Sequence, residues 1–234
     1  MMHDRTIDRA AARARRLKVR QVNPGELTAA QRARVEAPRP SFDDRMRAIR
    51  QTYLEDEVGP GRSDSPWYGL RVAFGREIPV ENELKKHNVE CLVPMRKGRE
   101  RRVRHRIIAA KHEPAITGYV LVRFDPTPEA CVGLMAVEHV VGLVSADGKP
   151  MPMDHEEVMK FKAKADDGSL DWERYCGLTF SKGERIEVTD GPFFGFTGTV
   201  VSARSDGRGD AVVELDLFGR PTPATLPLAI LQKM

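Results

Sequence analysis

The chain has 234 residues, 41% of them apolar and 31% charged, with a formal net charge of +4. That is enough apolar content for a packed core, while 6% aromatic residues argue against one large sandwich. No apolar run approaches the roughly 20 residues of a helical membrane span, and no apolar h-region opens the chain, so a soluble, cytoplasmic protein is expected.

The first 65 residues read as a basic extension. Arg5, Arg9, Arg13 and Arg16 recur at helical spacing among Ala10, Ala11, Ala12 and Ala14. A second helical piece is expected from Ser41 to Leu54, where Phe42, Met46, Ile49 and Tyr53 share a face. Asn23-Pro24-Gly25 and Pro38-Arg39-Pro40 break the segment, and Gly59-Pro60-Gly61 ends it. With little to bury, this arm is expected to be largely disordered or transiently helical.

A folded unit is expected over 66–165. Trp67 to Val72 reads as a strand, and Glu77 to His87 as a helix with Pro79 in its first turn and Val80 and Leu84 facing inward. Val89 to Pro94 is a second strand. The run Arg96, Lys97, Arg99, Arg101, Arg102, Arg104 and Arg106 is too charged for a core and reads as a long hairpin. Gly118 to Phe124 is the strongest central strand. Thr127 caps a helix to Met135, Val140 to Val144 forms a further strand, and Asp154 with Glu157 is a capping box for a helix to about Ala165. The order strand-helix-strand-strand-helix-strand predicts a ferredoxin-like α/β sandwich within an α+β chain.

After a linker over 166–180, residues 181–234 read as a small SH3-like β-barrel. Ile186 and Val188 alternate with charges, Asp190-Gly191 turns the chain, and Gly195 and Gly198 are expected to allow two more tight bends. Ser205 to Asp210 is a hairpin loop before the alternating Val213, Leu215 and Leu217.

The stretch Gly183 to Gly198 resembles a KOW motif. The later Leu217-Phe218-Gly219-Arg220-Pro221-Thr222-Pro223 resembles the strand-turn that follows it in the NusG family. Trp67-Tyr68, Glu90-Cys91-Leu92-Val93-Pro94, Gly118-Tyr119-Val120-Leu121-Val122 and Gly142 with Pro150 extend the likeness over about Pro66 to Met234. The resemblance implies a transcription elongation factor, general or of the specialised RfaH-like kind, whose NGN-like domain binds RNA polymerase. Its polymerase-binding positions would be Trp67, Ile116, Tyr119 and Leu121, with Leu84 supporting the wall. Ala115-Ile116-Thr117 stands where the family usually has Phe-Phe-Pro, which implies a smaller pocket.

By the same resemblance, Arg99, Arg101, Arg102, Arg104 and Arg106 would face upstream or non-template DNA, in contacts that position without selecting sequence. Ile186 and Phe193 would bind Rho or ribosomal protein S10. Phe193, next to Pro192, is expected to be more exposed than Phe194 and Phe196. A fold switch of the barrel is disfavoured by Pro192, Pro221, Pro223 and Pro227. No membrane partner is implied, and the protein is expected to be a monomer.

No catalytic constellation is found, and neither an enzymatic role nor a cofactor is expected. The barrel glycines lack a phosphate-loop ending, and the histidines lack metal spacing. Cys91, Cys131 and Cys176 read as reduced thiols. The alternative reading is an RNA-binding or ribosome-associated protein without polymerase binding, because the ferredoxin-like order is also that of an RNA recognition motif. That reading needs exposed rings on two neighbouring strands, here Tyr119 with Trp67 or Tyr68.

Overall fold

A computed structural model describes residues 28–30, 41–62, 64–146, 148–217 and 220–234. The expected Arg5–Arg16 stripe, the two Pro-containing breaks before Ser41, and Phe218-Gly219 lie outside the described residues. By contacts the chain divides into two units, Met1–Arg45 and Met46–Met234.

In the first unit, Ser41 and Asp44 form a reciprocal cap. The Asp44 amide donates to Ser41 Oγ at 3.1 Å, and the Ser41 amide donates to Asp44 Oδ2 at 3.2 Å. They open helix α1 (Phe42–Tyr53), which buries no residue of its own. In the second unit α1 runs into a π-helical turn, Leu54–Val58, and here the chain is less free than its composition suggests. Leu54 and Val58 are buried in the same cluster as Ala130 and Leu134. Gly133 permits that approach, because a Cβ there would stand 2.7 Å from the Leu54 backbone nitrogen.

The second unit is α+β. Strand β1 (Trp67–Val72), helix α2 (Glu77–Lys86), strand β2 (Cys91–Leu92), strand β7 (Tyr119–Arg123), helix α3 (Pro128–Met135) and strand β8 (Val140–Leu143) follow the expected order. Strand β1 pairs antiparallel with both β7 and β8, and β7 pairs with β2, which is the ferredoxin-like arrangement. Thr127 Oγ1 accepts from the Ala130 amide at 3.1 Å and so caps α3. Helices α2 and α3 cover one face of this sheet, where Leu70, Leu84, Val120, Val122 and Leu134 are buried together.

Between β2 and β7 the cationic run forms two short ladders. Strand β3 (Met95–Lys97) pairs with β6 (His112–Pro114), and β4 (Arg101–Val103) pairs with β5 (Arg106–Ile108). After β8 come β9 (Ser145–Ala146), β10 (Lys149–Pro150) and β11 (Pro152–Met153), the last joining the edge of β1. Helix α4 (His155–Asp166) is capped by Asp154, which accepts from the Glu156 amide at 2.7 Å.

The C-terminal barrel has β12 (Arg185–Val188), β13 (Thr197–Ala203), β14 (Asp210–Leu217), β15 (Arg220–Pro227) and β16 (Leu231–Lys233), in the order β15-β14-β13-β12-β16. Alternation places Ile186, Val188, Val213 and Leu215 in its interior. The prolines of β15 fall on an edge strand, where a missing amide donor is tolerated. Gly191 and Gly195 take positive φ, as turns require. Gly198 does not turn the chain: it lies inside β13, where a Cβ would meet Glu214 O of β14 at 2.7 Å. No described helix is long and apolar enough to cross a membrane.

Candidate functional site

Side chains alternate across a strand, so β1 and β7 each present one row to the helix-covered face and one to the opposite face. The row opposite the helices contains Trp67 and Gly69 of β1, with Tyr119 and Leu121 of β7 in adjacent register. Ile116 sits just before β7. These residues are apolar because the face is covered by α4 and by the C-terminal barrel.

The barrel meets the sheet through its first turn. Ala115, Ile116, Tyr119, Val144, Phe161 and Phe193 belong to one buried cluster that continues into the barrel interior. The Tyr119 and Phe193 rings meet at a centroid distance of 4.9 Å and an interplanar angle of 90°. A Cβ on Gly69 would lie 3.0 Å from Val144 Cγ2, so the bare glycine makes room for Val144, and at 3.7 Å from Pro192 it would only touch the turn. Gly191 is held between Ile116 and Phe161, and the Lys164 ammonium pairs with Asp190 at 2.6 Å. Burial pushes the Tyr119 phenol above its ordinary pKa.

The expected polymerase-binding residues fall into three groups. Ile116 and Tyr119 lie beneath the barrel. Trp67 and Leu121 lie with Met153 and Val158 beneath α4, and the Trp67 indole donates to His155 Nδ1 at 2.9 Å. Leu84 belongs to the core on the helix-covered face. Phe193 was expected to be exposed; it is fully buried, and Phe194 carries the exposure at 48%. The reason is that the turn folds Phe193 under the barrel toward Tyr119. Ile186 is likewise interior to the barrel.

The hairpin has two contrasting ends. At its tip, Arg104 and His105 take φ of 46° and 64°, a region that favours Asn or Gly, so two long side chains occupy a turn they do not relax into. Arg99, Arg104 and Arg106 are exposed, beside exposed Ile107. The side chains of Arg101 and Arg102 lie outside the described residues. At its base, Arg96 is turned inward and only 2% exposed.

The Arg96 guanidinium donates to both oxygens of Asp210, at 2.6 and 2.7 Å, and to Glu113 Oε1 at 3.0 Å. It lies over the Trp172 ring, 5.5 Å from the centroid. Burial disfavours its charge, but hydrogen bonding and the charge of Asp210, then Glu113, outweigh this and hold its pKa above the usual arginine value. The segment expected as a linker is packed here: Leu170 and Phe180 are buried, and the Trp172 amide donates to Lys97 O at 2.9 Å. Composition marks Arg96 as part of a charge run. Only its pairing with Asp210, 114 residues away, distinguishes it from the exposed arginines.

Residues 65–162 match the family model described as transcription termination factor NusG. The transcription termination/antitermination protein NusG of Treponema pallidum is 28% identical over 185 residues, covering 69% of this chain and 95% of its own. The protein of the same name from Halalkalibacterium halodurans is 26% identical over 186 residues, covering 72% and 98%. Among solved structures, one described as domain interaction in Thermotoga maritima NusG is similar at 24% identity, covering 73% of this chain and 98% of that chain, with a TM-score of 0.38.

Proposed function

We propose, from the premise that this chain is a NusG-family protein through its 65–162 domain, that it is a transcription elongation factor that binds RNA polymerase. Its relatives are named for transcription termination and antitermination, and a transcription factor role is common ground with them. The observation that carries the finer reading is the apolar sheet face opposite the helices. Ile116 and Tyr119 form its contact surface, Trp67 and Leu121 continue it under α4, and Leu84 backs it from the other side of the sheet. Buried aromatic and aliphatic anchors of this kind dominate protein interfaces when a partner covers them.

In this reading the barrel is the resident cover of that face, so polymerase binding requires the barrel to leave. Departure also frees Phe193, with Ile186 supporting it from the barrel interior, for Rho or ribosomal protein S10. The exposed Arg99, Arg104 and Arg106, with Arg101 and Arg102 in the same hairpin, face upstream or non-template DNA. The factor works as a cytoplasmic monomer, without a cofactor, and modulates pausing, termination or antitermination.

RNA recognition by ring stacking is less well supported. Tyr68 lies in the helix-covered core and Trp67 under α4, so removal of the barrel uncovers only Tyr119 of the three rings.

The test is direct binding of the purified full chain to bacterial RNA polymerase, beside Ile116→Asp. Binding that is lost in the variant, while its sheet retains hydrogen-exchange protection, supports the reading. Equal binding by both proteins rejects the face as the polymerase contact.

A further inference from the structure

Arg96 differs from the rest of the cationic hairpin in having an internal anion. Asp210 grips the guanidinium fork with both oxygens, the same planar two-point geometry by which arginine binds a phosphate. The two partners come from different parts of the unit: Arg96 from β3 at the hairpin base, Asp210 from the start of β14 in the barrel. The neighbouring Gly209 lies against the Trp172 ring, within 2.8 Å of where its Cβ would be, so the barrel loop also closes over the face beneath Arg96.

Departure of the barrel removes this carboxylate and its cover together. What remains at the hairpin base are the partly exposed carboxylates of Glu113 and of Asp171, which accepts from the Lys97 amide at 2.8 Å, against Arg96, Lys97, Arg99 and Lys111. Loss of the Asp210 carboxylate makes an already cationic base more positive by one charge. Among the described residues Arg96 Nε is buried without a hydrogen-bond partner, so the guanidinium retains a donor that this closed arrangement does not use.

We propose that Arg96 is a phosphate-binding site of the open protein, and that Asp210 occupies it in the closed protein as an internal stand-in for a nucleic-acid phosphate. Nucleic acid and barrel then compete for one guanidinium. DNA arriving at the hairpin favours the open state, and closure expels DNA from the hairpin base. This rests on the reading that the hairpin faces DNA, and it adds the residue that couples that contact to exposure of Ile116 and Tyr119.

The experiment uses the full chain and a single-stranded oligothymidylate, with binding followed by fluorescence anisotropy across a salt series. Opening is read separately by hydrogen exchange in 115–121 and 189–196, and folding by protection of the β13–β14 ladder. Asp210→Asn is expected to open the protein and bind about tenfold more tightly, the weight of one charge-assisted contact. Its plot of log affinity against log salt steepens by ~0.7, the signature of one added phosphate on a single strand. Arg96→Gln/Asp210→Asn opens to the same extent but shows neither gain. Equal gains in the single and double variants, or opening of Asp210→Asn without any gain, overturn the proposal. The hairpin reading has its own readout: Arg104→Glu weakens wild-type binding whatever Arg96 does. Absence of oligothymidylate binding in every protein overturns both.

Discussion

Tyr119 of β7 and Phe193 of the barrel turn meet edge to face at 4.9 Å, each burying the other's ring. Two residues singled out for different partners thereby shield one another. A partner that captures either ring must first break this pair, worth about 0.5–1.5 kcal/mol beyond the area it covers.

Phe193→Ala should therefore loosen the barrel from the sheet more than it loosens either alone. Amide exchange in Tyr119–Arg123 is expected to accelerate, while the β13–β14 ladder keeps its protection. The Tyr119 phenol, raised by burial, should fall back toward its ordinary pKa in the variant, because water then solvates the phenolate. Absorbance titration of wild type and variant reads the downward shift. An unchanged phenol with unchanged exchange would mean that this pair does not hold the contact.

Gly133→Ala tests the anchor of the N-terminal extension. The new methyl group would stand 2.7 Å from Leu54 N and 3.0 Å from Leu54 Cα, in backbone that has no rotamer with which to yield. The expected result is release of the Leu54–Val58 turn, at a cost of about 1–3 kcal/mol for overpacking. Limited proteolysis should cut near residue 54 faster, with the sheet still protected.

Gly198→Ala is expected to destabilise the barrel by about 1–3 kcal/mol, since its Cβ would meet Glu214 O at 2.7 Å and Val213 Cγ1 at 2.9 Å. The effect should appear as a lower urea midpoint and faster exchange across β13 and β14. Gly148→Ala is a weaker perturbation, because no atom of the described residues lies within 4 Å of its Cβ position, although its φ of 78° imposes some backbone strain. A larger effect at Gly148 than at Gly198 would refute the close-approach argument.

Cys91 titrates well outside the ordinary thiol range. Burial, and then the nearby Glu81 carboxylate, push its pKa up to about 12. Against an unfolded value of about 8.5, the folded state favours the neutral thiol. This contribution to stability is therefore complete below about pH 8.5 and declines as pH rises toward 12. Urea midpoints at about pH 8 and about pH 10.5 should show an alkaline loss that is smaller in Cys91→Ala. At about pH 8 the thiolate fraction of Cys91 is only ~10⁻⁴, so alkylation of this residue in the native chain should be very slow beside that in urea.

What the sequence determined by itself was local. Alternating Ile186 and Val188, the Thr127 and Asp154 caps, Pro79 in the first turn of α2 and the apolar run of β7 each specify an element through short-range sterics and periodicity. Their order then leaves few ways to pair the strands, which is why the ferredoxin-like sheet and the barrel were both readable. The expectation for Phe193 failed because exposure is a property of neighbours: a proline-led turn looks the same in sequence whether solvent or Tyr119 lies beyond it. Gly198 was misread for a related reason, since a glycine required by close approach carries the same letter as one required by a turn. Arg96 is the clearest case. Nothing in a run of arginines marks the one that will bind Asp210, because a buried ion pair across 114 residues exists only after the barrel has come to rest against the sheet. Tertiary structure alone decided that the apolar face is covered, by what, and through which charge.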